Sequence, residues 1–319
     1  MPPLTLLAVP NVSEGSDAET IAALARAIEA PEGGPAPRDA AGEGTAADVR
    51  LLDVHSDADH DRSVLTFAGG PRTIAAATLR LAAEALSRID LARPDRVGQH
   101  PHVGVLDVAP VVYLDAAARG AACAEALVLA ERLGTDLEIP VFLYGELTAG
   151  EGGGGRTRAE LRRGGAAALA ERLTAPDTES RAMRPDFGPA RMNPARGATL
   201  VAARQPLVAF NVELAPPASV EDARRIAALV REGGEHGLPG LRAIGIELHG
   251  GKGQVSMNVE RPLELALAEV VRALAVHAPL ARAELVGLAP AAAFEGFPEE
   301  LPIPGFDPGR HLIENALGC

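Results

Sequence analysis

The sequence predicts an α+β protein made of two α/β sandwich subdomains. Two observations carry this prediction: short apolar runs typical of strands alternate with stretches of helical spacing, and the order β-α-β-β-α-β can be followed twice along the 319 residues. That order is the split βαβ, or ferredoxin-like, motif. We therefore predict two ferredoxin-like subdomains, residues 1–197 and 198–319, with a ligand cleft where they meet.

Local signals predict the elements of the first half. The run at 4–9 is a strand closed by Pro10, and Ser16 and Glu19 have the spacing of a capping box at the start of a helix. The other predicted elements are strands at 49–54, 63–69, 103–114 and 141–144 and helices at 73–89, 116–133 and 158–173. Residues 31–48, rich in Pro, Gly and Ala, predict a flexible surface loop.

The second half begins after a connection at 174–197, which has several prolines and no sustained period. Its predicted elements are strands at 199–204, 207–214, 242–248, 253–259 and 284–288 and helices at 219–232 and 263–277.

Composition limits the class of partner. A net charge of −13 argues against nonspecific binding to nucleic acid or a membrane surface, since both are anionic. Two cysteines, Cys123 and Cys319, do not form a disulfide framework. The chain shows neither a signal peptide nor an apolar run long enough to span a membrane, so we expect a cytoplasmic protein.

Two histidine-containing loops are candidate sites. In "VGQHPHVGVLDVAP" (97–110), Pro101 restrains His100 and His102, which is compatible with a general acid/base, a metal-ligand pair or a structural pair. Between two predicted strands, a second loop carries His55, Asp57, Asp59, His60 and Asp61. That loop is compatible with a divalent metal site, an acidic turn or a polar substrate-binding loop.

Glycine and arginine are concentrated after residue 149. The run "GEGGGGRTR" (150–158) lacks the Gly-Lys-Ser/Thr ending of a phosphate loop, which favours a lid or linker. Residues 156–204 hold ten arginines against five acidic residues. This local excess is compatible with an anionic small substrate or with a solvated helix face.

In this order, the motifs resemble the formiminotransferase domain, that is, the folate-dependent glutamate formimidoyltransferase family. The matching stretches are "VPNVSEG" (9–15), "DRSVLTFAG" (61–69), "GQHPHVGVLDVAP" (98–110), "IPVFLYGE" (139–146), "RPDFGP" (184–189), "GATLVAAR" (197–204), "VAFNVEL" (208–214), "GQVSMN" (253–258) and "LVGLAP" (285–290). The resemblance implies two ferredoxin-like subdomains with a folate tunnel between them.

The resemblance also implies a reaction and a site. The formimino group of N-formimino-L-glutamate moves to N5 of tetrahydrofolate, a co-substrate, with His100 as acid/base and no metal. The implied folate-binding residues are Gly188, Pro189, Ala190, Arg191, Met192, Asn193, Pro194, Ala195, Arg196 and Gly197. Residues expected near the formimino donor are Asn11, Ser13, Glu14, His55 and Arg62. The family further implies a homodimer.

Some positions depart from the family. "GGAAAL" (164–169) stands where an aromatic residue is frequent, and Asp61 stands where Asn is common. A folate-binding homologue with lost or changed one-carbon transfer is therefore an alternative, as are formyl transfer and a metal-dependent hydrolase using residues 55–61. The cyclodeaminase domain that follows this domain in some relatives is expected to be absent.

Overall fold

A computed structural model describes residues 4–30, 49–93, 102–149, 155–176 and 183–318. The predicted loop at 31–48 and the glycines at 152–154 lie outside the described residues, as does His100. Contacts divide the chain into two compact units, the first ending at Arg204 and the second beginning at Gln205. In the described part of the chain, every helix is too short or too polar to cross a bilayer.

The first unit is built around one sheet of seven strands. Its strands are β1 (Leu6–Ala8), β2 (Asn11–Val12), β3 (Val49–Asp57), β4 (Arg62–Gly69), β5 (Leu106–Tyr113), β6 (Val141–Leu143) and β7 (Thr199–Arg204). Its helices are α1 (Ala18–Glu29), α2 (Thr73–Arg88), α3 (Arg119–Asp136), α4 (Arg158–Arg162) and α5 (Gly165–Thr174).

Strand pairing reproduces the predicted motif and extends it. β1 and β2 each pair antiparallel with both β4 and β5, so they form one interrupted strand at the centre, and β3 pairs with β4. The sequence β1/β2-α1-β3-β4-α2-β5 is therefore a β-α-β-β-α-β unit. β7 then adds in parallel to β5, and β6 adds in parallel to β7.

Helices cover both faces of this sheet. The main core lies on one face, where Leu24 of α1, Leu81 of α2 and Leu129 of α3 pack on strand residues such as Phe67. A smaller core lies on the other face, where Leu161 and Leu169 of α4 and α5 pack on Val108, Phe142 and Leu200. Alternate residues of the strands supply the two cores because successive side chains point to opposite faces. We call the second face the α4/α5 face.

The predicted capping box of α1 is wrong by one residue. Asp17, not Ser16, is the N-cap, and its Oδ1 accepts the backbone N–H groups of Glu19 and Thr20 at 3.0 and 3.3 Å. Both are residues that favour this position, so local sequence signals could not choose between them.

The second unit repeats the β-α-β-β-α-β order by itself. Its strands are β8 (Val208–Leu214), β9 (Leu241–Leu248), β10 (Lys252–Val259) and β11 (Leu280–Val286), and its helices are α6 (Val220–Val230), α7 (Leu267–Ala275), α8 (Pro308–His311) and α9 (Ile313–Leu317). The antiparallel sheet has the order β11-β8-β10-β9. Its core joins α6 and α7 to one face of the sheet, so the predicted α+β class is confirmed in both halves.

The boundary between the halves differs from the prediction at 197/198. The sequence predicts that the strand at 199–204 opens the second half, but this strand, β7, pairs with β5 and β6, and the contacts divide at Arg204/Gln205. Five of its six residues are buried, as expected of an internal parallel strand. A continuous apolar run carries no information about which sheet it joins, which explains the difference.

Candidate functional site

A β-bulge lies where β5 begins. Asn11 is opposite Val108 but the next residue, Val12, is opposite Leu106, so β5 has one extra residue, Asp107. Bulges redirect a side chain out of the regular alternation. Asp107 is 2 % exposed, and its Oδ1 accepts the N–H of Val103 at 2.8 Å. The bulge therefore ties the carboxylate of Asp107 to the chain that follows the His-Pro-His motif.

Residues 193–198 form backbone hydrogen bonds with the chain on both sides of the His-Pro-His motif. Before it, the N–H of Leu91 donates to the carbonyl of Ala195 at 3.0 Å. After it, the N–H of Val105 donates to the carbonyl of Arg196, and the N–H of Ala198 donates to the carbonyl of Val103, both at 2.9 Å. The predicted folate-binding segment and the predicted catalytic loop are thus joined by backbone hydrogen bonds.

The turn at residues 13–15 is hydrogen-bonded to the chain that follows the His-Pro-His motif. The hydroxyl of Ser13 donates to the carbonyl of Gly104 at 2.8 Å, and the Glu14 carboxylate accepts the N–H groups of Ser16 and Asp17, both at 2.9 Å. Of the predicted donor-site residues, Ser13 and Glu14 therefore stabilise backbone. A Cβ on Gly15 would lie 2.1 Å from the carbonyl oxygen of Asp57, so there is no room for a side chain at this position.

The acidic loop between β3 and β4 is a turn organised by Asp57. Its Oδ1 accepts the N–H of His60 at 3.0 Å, and its Oδ2 lies 2.6 Å from Nδ1 of the buried His60 ring. Burial raises the pKa of Asp57, but the hydrogen bonds and charge of His60 outweigh burial and lower that pKa to about 2. The carboxylate is therefore ionised at neutral pH.

Strand register places three other predicted donor-site residues on the α4/α5 face. Asn11 and His55 both lie opposite Val64, and Arg62 lies two residues before it on the same strand. Burial, followed by the like charge of Arg162, lowers the pKa of the Arg62 guanidinium to about 10, and the Asp107 and Asp57 carboxylates oppose this shift.

Sequence reasoning did not identify Asp107, Arg158 and Arg162 as site residues. Arg162 forms an ion pair with Oδ2 of Asp107, and their side chains are 13 % and 3 % exposed. Arg158, on the same short helix, also acts electrostatically on Arg62. The available signal was the aspartate inside the apolar run "VGVLDVAP" (103–110), since a buried carboxylate needs a partner.

The folate-binding segment predicted at 188–197 begins and ends with glycines of positive φ, 82° at Gly188 and 74° at Gly197. Asn193 organises a tight turn, since its Oδ1 accepts the N–H of Ala195 at 2.9 Å. Met192 packs on the smaller core, whereas Arg191 and Arg196 are exposed. The segment therefore has an anchored backbone and two arginines open to solvent.

Both departures from the family pattern have local backbone roles. Asp61 has a φ of 48°, a region that Asn and Asp tolerate, and its Oδ1 accepts the N–H of Gly15 at 3.2 Å. Gly164 and Gly165 have φ values of 77° and 72° and form the turn between α4 and α5. The stretch "GGAAAL" (164–169) ends in Leu169, which is fully buried in the smaller core.

The described residues contain no group of three or more His, Cys, Asp or Glu side chains that could hold a metal ion. In the loop 55–61, His60 and Asp57 bind each other. These contacts favour the acidic-turn interpretation of that loop.

Comparison with known proteins agrees with this arrangement. Residues 5–204 match the family described as formiminotransferase domain, N-terminal subdomain, and this match ends at the last residue of the first unit. The chain is 32% identical to a glutamate formimidoyltransferase of Streptococcus pyogenes serotype M1 over 317 residues, 97% of each chain. It is 31% identical to a glutamate formimidoyltransferase of Thermoplasma acidophilum, covering 95% of this chain and 94% of that one.

A formimidoyltransferase-cyclodeaminase of Gallus gallus is 35% identical over 293 residues, which are 88% of this chain and 49% of that protein. The chain therefore spans about half the length of this relative and nearly the full length of the other two. Together with the fold and the site, these matches show that the chain belongs to the formiminotransferase family.

Proposed function

We propose that this enzyme transfers the formimino group of N-formimino-L-glutamate to N5 of tetrahydrofolate and releases L-glutamate, with His100 as general acid/base. One observation carries the proposal: the described residues on both sides of the catalytic loop are hydrogen-bonded to Ala195 and Arg196 of the folate-binding segment and to Ala198, which directly follows it. In the sequence, His100 stands two residues before His102 and three before Val103, the first of these anchored residues.

The chemistry requires a proton to be moved. N5 of the folate attacks the formimidoyl carbon, and a tetrahedral intermediate forms with bonds to both nitrogens. His100 accepts the proton that leaves N5 and returns it to the glutamate nitrogen as the carbon–nitrogen bond breaks. A positioned acid/base of this kind accelerates a reaction by about 10²- to 10⁴-fold.

Tetrahydrofolate is proposed to bind residues 188–197 as a co-substrate. The two exposed guanidinium groups of this segment, Arg191 and Arg196, suit the carboxylates of the folate glutamate tail. On the donor side, Arg62, His55 and Asn11 share the α4/α5 face and are the proposed contacts. The homodimer and the cytoplasmic location stay predictions.

The test is glutamate release from N-formimino-L-glutamate, measured with and without tetrahydrofolate. We expect release that needs the folate and falls at least about 100-fold in His100→Asn, the lower range for loss of an acid/base. His236→Asn, an exposed histidine of the second unit, is the control and should keep its rate. Folate binding without any release by the wild-type protein would contradict the transferase and favour a homologue with changed activity.

A further inference from the structure

Two polar side chains of the first unit lie opposite each other on neighbouring strands. Asp53 of β3 pairs with Thr66 of β4 in the antiparallel register. Leu65 and Phe67, the sequence neighbours of Thr66, lie in the main core. Because side chains alternate along a strand, Thr66 points to the opposite, α4/α5 face, and Asp53 points there with it. We call these two residues the Asp53–Thr66 pair.

A β-bulge places the carboxylate on this face. Leu51 is opposite Phe67, and the next paired residues are Asp53 and Thr66. β3 therefore has one extra residue, Leu52, at this point. In a regular ladder Leu52 would lie opposite Thr66, and Asp53 would point into the main core. The bulge instead brings a carboxylate opposite the threonine hydroxyl.

The protein leaves both polar groups of the pair without hydrogen bonds. Thr66 is 1 % exposed, and its hydroxyl has no hydrogen-bond partner among the residues that the structure describes. Asp53 is half-buried as a residue, but its Oδ2 atom is fully buried and also has no partner in that part of the chain. Buried polar groups are normally satisfied, so this pair requires an explanation. A carboxylate oxygen only accepts, which points to a ligand that donates.

Comparable side chains of the same sheet are satisfied. The hydroxyls of Ser56 and Ser63, which also lie opposite each other on β3 and β4, hydrogen-bond at 2.9 Å. Thr199 of β7, likewise 1 % exposed, donates to a backbone carbonyl at 2.7 Å. The missing hydrogen bonds are therefore particular to the Asp53–Thr66 pair.

We propose that the Asp53–Thr66 pair binds a planar N–C–N group that carries two N–H donors side by side. This inference rests on the proposed function, because both of its substrates carry such a group: the formimino group of the donor and the 2-amino-N3 edge of the pterin ring. A carboxylate accepts paired N–H donors through its two oxygens, as it does from arginine. The hydroxyl of Thr66 supplies one further hydrogen bond.

The pair also suits the charge of the donor. The formimino group is an amidine, which is a cation at neutral pH. A carboxylate beside a cation favours its charged form. Asp53 would therefore keep the formimino group protonated, which is the form whose carbon N5 of the folate attacks.

The first experiment measures binding without turnover, by calorimetry with each substrate alone. It compares Asp53→Asn and Thr66→Val with the control Asp136→Asn, which removes an exposed carboxylate from α3 in the same unit. We expect Asp53→Asn to raise the Kd of one substrate about 10- to 100-fold, the effect of losing a charge-assisted hydrogen bond. Thr66→Val should raise the same Kd about 3- to 10-fold. The control should change neither Kd by more than about twofold.

Substrate analogues identify which substrate the pair binds. N-formyl-L-glutamate has a carbonyl oxygen in place of the formimino nitrogen, and 2-desamino-2-methyl-tetrahydrofolate lacks the 2-amino group. If the pair binds the donor, Asp53→Asn weakens binding of N-formimino-L-glutamate but not of N-formyl-L-glutamate. If the pair binds the pterin, the same change weakens binding of tetrahydrofolate but not of the desamino analogue. Equal weakening of a substrate and its analogue would contradict direct contact.

Stability separates a ligand site from a structural pair. Because the hydroxyl of Thr66 has no partner in the protein alone, Thr66→Val should keep or raise the urea midpoint. Thr199→Val is the matched control, since it removes an equally buried hydroxyl that is hydrogen-bonded, and it should lower the midpoint. A lower midpoint for Thr66→Val with unchanged binding would mean that water bridges the pair, and it would overturn the proposal.

These results can be told apart from a failure of the proposed function. If neither Kd responds to Asp53→Asn, the pair is not a ligand site, whether or not the enzyme releases glutamate. If one of the two substrates binds in a manner that depends on Asp53 but no glutamate is released, the pair is a ligand site in an enzyme of another reaction.

Discussion

At Gly104 the backbone passes so close to Ala198 that no side chain fits between them. A Cβ on Gly104 would lie 2.0 Å from the carbonyl oxygen of Ala198, and one on Gly197 would lie 2.2 Å from that of Val103. This close approach lets the folate-binding segment form its hydrogen bonds to residues 103–105. These two glycines therefore allow the folate-binding segment and residues 103–105 to lie in direct contact.

We predict that Gly104→Ala weakens tetrahydrofolate binding and lowers the unfolding free energy by about 2 kcal/mol or more, because backbone atoms must move apart. Equilibrium binding and urea unfolding measure the two effects. Gly120→Ala is the matched control: Gly120 lies in α3 with open space around its Cβ position, so alanine should leave folate binding unchanged and stabilise by up to about 1 kcal/mol. Equal effects of the two changes would contradict the argument.

The arginines of residues 156–204 have different structural roles, which the sequence pattern does not distinguish. Arg172 donates to the backbone carbonyls of Glu160, Leu161, Arg163 and Ala168, and Arg184 donates to those of Leu173, Ala175 and Met183. Arg156 pairs with Asp186. The local charge excess therefore includes structural arginines, Arg158 and Arg162 on α4, and the exposed Arg191 and Arg196 of the folate-binding segment. Charge counts could not separate these groups because their partners are carbonyls and distant residues.

At element scale, α2 begins without a capping side chain of its own. Its N-cap residue, Arg72, has a φ of 77° and makes no side-chain cap. Instead, Glu125 of α3 accepts the N–H groups of Arg72 and Ala75 at 2.8 and 2.9 Å. A carboxylate at the N-terminus of a helix also interacts favourably with the helix dipole. The two helices are thus connected by a carboxylate that is 5 % exposed.

We predict that Glu125→Ala lowers the unfolding free energy by about 2–3 kcal/mol, because two backbone donors lose their acceptor inside the protein. The urea midpoint should fall with little change in the slope of the transition. Glu131→Ala, an exposed position of the same helix, is the control and should change stability by less than about 0.5 kcal/mol. Should the two variants unfold alike, the cap would not stabilise α2.

At the scale of the whole molecule, the boundary at Arg204/Gln205 leads to a prediction about fragments. The second unit has its own core, built on Phe210, Ile226 and Met257 among others. We expect residues 205–319 to unfold cooperatively when expressed alone. A fragment of 198–319 should aggregate more, because it carries β7, whose buried residues would be exposed without β5 and β6.

Circular dichroism with urea and size-exclusion chromatography would compare these fragments. Of the two complementary fragments, 1–204 should be more stable and more soluble than 1–197. The shorter fragment lacks β7, the strand that lies between β5 and β6. If 198–319 proved more stable and more soluble than 205–319, β7 would belong to the second unit.

The α+β class, the two β-α-β-β-α-β units and the family could be predicted from the amino-acid sequence. The reason is that periodicity, turn residues and motifs are local properties of a chain. His100 and the folate-binding segment came from the resemblance, and their roles stay predictions.

Contacts between residues far apart in the sequence became visible only in the folded structure. Asp107 forms an ion pair with Arg162, which is 55 residues away in the sequence. Glu125 caps a helix that begins about 50 residues earlier. β7 belongs to a sheet whose other strands all precede it by more than 50 residues. Such pairs depend on how strands are ordered and which face a helix covers. Burial removes the competing partner, water, so the nearest complementary group in the fold becomes the partner.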